Sequence, residues 1–583
     1  MNARRWLLSL FVAASCLPPQ HGCGGGGEPH DGFEHRRLVA EATRLYMGLH
    51  PLRSSRLGLH EADSLLFTFG DEEIIDALEG LARLDERLSA LPAAGLSPRD
   101  IDQARVMIHW ARGERFAFET LAIQRTNPLF YVWAAEEALE GMSSRIEPPR
   151  SGEAEAYRAR VLAIETLLSN ASRSLRNPAE MHARFAVLRL EGLVSRLREI
   201  SRLAAQRYGT SHDAELARAR GALLLFRDRV NRSIAAGARG NIILGAENLS
   251  KTFLYDELLD IDPNALIAEA ERRITRLAAD RASTAKRIAF GSGGRLVGGA
   301  ADSRTSVKSG PPPGETRGAT AADAPERPEA LAARFIDTLW TRRAGGTSFG
   351  APRGAKPAIH GGANTPLTGR LPKNPHLSLP LLDAPDVIVE TAPLSSSACR
   401  PRVLMSGTAS RLDPAELRRA LLSAAPALLE ADRILCEASD TVSVVFASET
   451  WREGLAHLAL ADIAERMRKQ DPELYARILD EWTLRLARTI VVLRLHAGTL
   501  TTERAAGYFS ETAGLEREDA EREALTASTS PAVAWPGISI ILVERMIDRM
   551  AEPGESGAAR RKTRALLVRE RGLPLPLIER KIH

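Results

Sequence analysis

Apolar residues recur every three or four positions through most of the chain, which is the spacing of one buried stripe on a helix. In the stretch EEIIDALEGLARLDERLSALP, Ile74, Leu78, Leu81, Leu84, Leu88 and Leu91 make such a stripe, and Pro92 ends it. The next helix is announced by Ser97 at the N-cap, Pro98 at the first position and Asp100 at the third. Residues 153–205 and 213–236 continue in the same style, so the region from about 30 to 290 reads as helix after helix. No fixed-period repeat marks a solenoid.

Between 291 and 375 the pattern stops. The stretch is rich in Gly, Pro, Ser and Thr, and its few large apolar residues cannot offset the entropy of ordering the chain. One island, PEALAARFIDTLWTRR at 328–343, has helical spacing. Beyond the linker, HLSLPLL and DVIVETAPL carry alternating or β-branched residues and predict a short strand pair near 376–391. Helical spacing then returns, and the region 376–583 closes the chain. The expected fold is mainly α, with that strand pair as a minor addition.

The first residues read as an address. Arg4 and Arg5 form a basic start, Trp6 to Val12 an apolar run, and Ala13-Ala14-Ser15 a small-residue cleavage site before Cys16. Residues 1–16 therefore resemble a signal peptide with a lipobox, and 17–29, with Gly24 to Gly27, a flexible tether. An ordinary cleaved leader with Cys16 incidental is the competing reading. On the first reading the protein is exported and held at a membrane through a lipid on Cys16, on the periplasmic or cell-surface side. No later stretch has the ~20 apolar residues that span a bilayer. Only Cys399 and Cys436 remain in the body, too few for a disulfide framework.

Composition narrows the picture slightly. Of 583 residues 44% are hydrophobic, enough for a sizeable core, and the formal charge of +4 is spread thinly. Such a balance gives no footprint for nucleic acid. P-loop and paired-cysteine patterns are missing from the sequence.

One helix contains an anomaly. DPAELRRALLSAAPALLEADRIL, Asp413 to Leu435, starts well but keeps Pro426 in its interior, where proline costs roughly 3 kcal/mol. Six stretches, taken in order, supply a context: HPLRSSRLGLHEAD, NPLFY, WREGLAHLAL, LRLHAGTLTTERAAGYF, AWPGISI and RGLPLPLIERKI. Together they are similar to the bacterial domain-of-unknown-function family 885, whose members resemble helical zinc peptidases. Members with an intact site carry H-E-x-x-P-G-H on a helix and E-G-W-A about thirty residues later. Two imidazoles and a carboxylate hold a zinc with an open position for water, and the adjacent glutamate takes that water's proton.

The resemblance places Glu453 and Gly454 on the second element and Pro426 on the proline of the first. Leu422 and Leu428 then stand at the two histidines, Ser423 at the catalytic glutamate and Ala427 at the glycine. Beyond them, Val492, Ile538 and Leu542 replace polar residues of the family pattern, while His496, Pro536 and Gly537 are kept. No H-E-x-x-H occurs anywhere in the chain. The resemblance therefore implies a degenerate zinc-peptidase-like fold without catalysis or a cofactor, acting as a binding or scaffold protein for a peptide or envelope ligand. The alternative is a working metal-dependent hydrolase, with zinc held by Glu453, His457 and His496. Glu453 and His457, four apart, share a helix face, and His60 beside Glu61 reads as a polar turn.

Overall fold

The computed structural model describes residues 30–143, 145, 148–293, 358–361, 387–390, 402–405, 431, 434–435, 438, 440–552 and 555–582. Cys16, the helix expected at 328–343, the stretch 376–382, both body cysteines, and Leu422, Ser423, Pro426 and Leu428 lie outside them. The described chain is mainly α, as its periodicity requires.

In the N-terminal region the helices are α1 (His30–Leu49), α2 (Pro51–Arg56), α3 (Asp71–Ser89), α4 (Pro98–Glu119), α5 (Ile123–Thr126) and α6 (Pro128–Glu140). They continue as α7 (Glu153–Ser174), α8 (Glu180–Tyr208), α9 (Asp213–Ala235), α10 (Ala246–Glu257) and α11 (Pro263–Gly293). Ser97 caps α4 as its sequence predicts: its side chain accepts from Asp100 N while the Asp100 carboxylate accepts from Ser97 N. The helical pattern of 153–205 is carried by two helices, α7 and α8. Asn177, with φ 46°, and Pro178 break it, because proline cannot supply the amide that a continuing helix needs.

Three short strands follow, β1 (Ala358–Gly361), β2 (Val387–Glu390) and β3 (Arg402–Met405). The strand expected in DVIVE is present as β2, and it pairs antiparallel with β3. β1 joins β3 in parallel, so order extends into a stretch whose composition predicts none. Its backbone groups are satisfied by β3, a partner more than forty residues away that local composition does not register.

The C-terminal region comprises α12 (Thr441–Val445), α13 (Glu449–Gln470), α14 (Pro472–His496), α15 (Thr502–Ala513), α16 (Arg517–Thr529), α17 (Trp535–Met550), α18 (Ser556–Arg569) and α19 (Leu575–Glu579). α11 lies along α14, and α13 and α14 both pack on α17. The main hydrophobic cluster among the described residues runs through both regions, from Leu38 and Trp110 to Trp451, Leu542 and Ile578. Val492, Ile538 and Leu542 are all fully buried in it. Among the described residues no single helix is long and apolar enough to cross a membrane.

Two contacts lock α13, α14 and α17 in place. A side chain at Gly537 would collide with Thr489 Oγ1 and the carbonyl of Arg485, so glycine lets α17 close onto α14. At the start of α13, the buried Glu257 carboxylate accepts from Glu449 N (2.8 Å), Thr450 N (3.3 Å), Thr450 Oγ1 (2.7 Å) and Ser448 Oγ. A negative charge at a helix N-terminus is stabilised by the dipole and by the unpaired amides there. Glu257→Ala leaves several buried donors without an acceptor, and we expect a loss of about 3 kcal/mol or more. Chemical denaturation should report a lower midpoint at unchanged slope; an unchanged midpoint would refute this role.

Candidate functional site

α13 and α14 form an antiparallel hairpin that turns at Asp471, whose carboxylate caps α14 through Leu474 N. This geometry sets Glu453 opposite Arg485 and, one turn further along, His457 opposite Trp482. Arg485 Nη1 donates to Glu453 Oε2 at 3.4 Å and its Nε to Glu481 Oε1 at 2.8 Å. The Arg485 side chain is only 5% exposed. Next to it, Arg488 is bound by Glu523. Burial alone would lower the Arg488 pKa, but Glu523, Glu481 and Glu453 together hold it above the ordinary arginine value. Three carboxylates thus share two guanidinium groups.

His457 has a different partner. Its Nε2 lies 2.7 Å from Glu544 Oε1 on α17, and its ring packs 5.4 Å from that of Trp482. Burial would raise the Glu544 pKa, but the hydrogen bond and charge of His457, with Arg273 and Arg560, hold it below the usual carboxylate range. His457 Nδ1 and Trp482 Nε1 are buried, and neither has a hydrogen-bond partner among the described residues.

His496 stands apart from both. It lies eleven residues beyond Arg485, about 16 Å along α14 at ~1.5 Å per residue. Its ring faces the backbone of Ile242 and Ala527 and is close to His182 of α8. Of the three residues proposed from sequence, then, two share α13 with separate partners and the third belongs to another part of the core. Among the described residues no group of three or more His, Cys, Asp or Glu is placed to hold a metal ion. Among the described residues, Glu453 meets the Arg485 guanidinium and is not grouped with imidazoles in a way that would hold zinc.

Beside His457 a cleft of about 410 Å³ opens between α11, α13, α14, α17 and the start of α18. Its walls combine Trp482, Tyr475 and Ile540 with Arg276, Arg468 and Glu544. That size and mixture suit a small molecule. Sequence reasoning reached His457 but missed the rest. A signal was present for two of them: Glu544 interrupts the apolar run from Ile538 to Ile547, and Trp482 stands in the charged stretch DEWTLR.

The two core histidines carry a consequence for pH. Burial pushes both His182 and His496 down to about 4, below the value of 6.5 expected in the unfolded chain. Their contribution to stability is therefore complete above pH 6.5 and is lost as pH falls towards 4. Each should account for about 2 kcal/mol between pH 7.5 and pH 5. A His182→Gln/His496→Gln double variant should flatten the dependence of unfolding free energy on pH over that interval. An equally steep profile would show that the rings are not buried in the neutral form.

No protein-family model matches the chain, and no curated protein matches it in sequence. Its fold is similar to that of two solved structures. One is a "putative lipoprotein of unknown function from Shewanella oneidensis", with a TM-score of 0.67, 13% identity, and coverage of 94% of this chain and 99% of that one. The other is a "putative lipoprotein from Colwellia psychrerythraea", with a TM-score of 0.66, 13% identity, and coverage of 94% and 98%. At this identity the likeness shows a shared fold over nearly the whole chain.

Proposed function

We propose that this protein is an exported, lipid-anchored envelope protein whose zinc-peptidase-like body has lost its chemistry and serves to bind a ligand. The observation that carries the reading is the Arg485–Glu453 contact. In the family that the sequence resembles, this glutamate meets a dication. Here it meets a guanidinium that is permanently charged and tied to a second carboxylate, Glu481. A buried carboxylate needs a compensating positive charge, and removing one partner of such a pair costs several kcal/mol. Arg485 supplies that compensation from within the chain, so Glu453 can stay although a metal no longer balances it. The replacements Leu422, Ser423 and Leu428 agree with this, because leucine offers no lone pair to zinc and serine no carboxylate base.

The anchor is supported by the leader and Cys16, and by the two structural neighbours, both of which carry the word lipoprotein in their names. That the body binds a partner rests on fold-level analogy and on the presence of a cleft.

Two measurements test the reading. Cys16→Ala should move the protein from the membrane to the soluble fraction, and unchanged fractionation with an unmodified N-terminal mass would reject the anchor. Purified protein should contain no stoichiometric zinc by elemental mass spectrometry and should not cleave peptides. One zinc per chain, with chelator-sensitive hydrolysis that Glu453→Ala abolishes, would replace this reading with the hydrolase.

A further inference from the structure

We propose that the cleft beside His457 takes a small ligand that presents an anionic group, a carboxylate or a phosphate, next to an aromatic or apolar portion. The inference rests on the binder reading above and adds the chemistry of the ligand.

The cations come first. Among the four arginines of the cleft, Arg273 is engaged by Glu269 and Glu544, and Arg560 by Glu465. Arg276 and Arg468 are exposed at the rim and form no ion pair with another described residue. Of the cleft's acids, Glu544 is held by His457 and Glu465 by Arg560, which leaves Asp280 to offset one of the two rim arginines. The open groups therefore carry one positive charge in excess. Guanidinium groups recognise carboxylate and phosphate through paired N–H donors.

A helix start adds donors to the same wall. Ser556 and Gly557, the first two residues of the fourteen-residue helix α18, line the cleft, and Glu555 before them makes no side-chain cap. Amides of a first helical turn point outward and favour anions. His457 provides an independent sign of a ligand. Its side chain is 4% exposed and lines the cleft, with Nε2 used by Glu544 and Nδ1 unpaired among the described residues. Trp482 Nε1 in the same wall is unpaired as well. A buried polar atom without a partner costs about 1–3 kcal/mol; Trp482 Nε1 is a donor that an acceptor on a ligand would satisfy, and His457 Nδ1 is a second polar position in the same wall open to one. The Trp482 and Tyr475 rings with Leu486 and Ile540 supply the apolar floor for the rest of the molecule.

The test uses the full mature chain and three probes of one shape: benzoate, phenyl phosphate and the neutral benzamide. Isothermal titration is run on the wild type and on Arg276→Gln/Arg468→Gln, whose exposed sites should leave the fold intact. At least one of the two anions should bind, benzamide should not, and the double variant should lose at least tenfold in affinity. Tighter binding of benzoate would assign the ligand to carboxylates, and tighter binding of phenyl phosphate to phosphate esters. Equal affinity for benzamide, an unchanged double variant, or failure of both anions to bind would overturn the proposal. The readout is affinity alone, so it can fail while the protein remains metal-free and inactive, and it can succeed even if zinc is found.

Discussion

The last turn of α10 holds the two regions of this molecule in register. Glu257 caps α13 from 191 residues away in sequence, and its neighbour Asp256 accepts from Trp535 Nε1 of α17 at 3.2 Å. Two adjacent carboxylates thereby fix the start of both helices that flank the site. The chain terminus closes on the same point: Leu575 N donates to Thr450 Oγ1 at 3.2 Å, and Ser448 N to the carbonyl of Gly572 at 3.0 Å. Gly572, at φ 77°, approaches Ser443 too closely for a side chain. A buried carboxylate is costly without donors, and here a helix N-terminus supplies them in a fixed array.

With those starts fixed, α13 and α14 lie side by side and their polar residues must find partners within the protein. The charges sort into two groups. Glu453 and Glu481 meet Arg485, and Glu523 meets Arg488. One turn further along α13, His457 meets Glu544. The first group is closed, with its acids and arginines engaged by one another. The second borders a cleft and leaves ring nitrogens unpaired. The first position is satisfied within the chain, and the second faces open space.

Apolar packing fills the rest of the contact between α14 and α17. Val492, Ile538 and Leu542 are fully buried, and Gly537 brings the backbones of α14 and α17 together. Close packing of that kind leaves no room for water or a hydrated ion.

The sequence by itself determined the helical architecture, because amphipathic spacing and capping are local. The stripe from Ile74 to Leu91, the Ser97 cap with Asp100, and the strand in DVIVE are all legible within a window of about twenty residues. It also determined that Glu453 and His457 share a helix. What only the tertiary structure decided is which partners these side chains meet. Glu453 and Arg485 are 32 positions apart, His457 and Glu544 are 87 apart, and His496 lies against His182 rather than either. Periodicity tells which face of a helix turns inward but not which neighbour waits there. Inside a low-dielectric core that choice of neighbour, and not residue type, decides whether a carboxylate holds a metal, an arginine or a histidine.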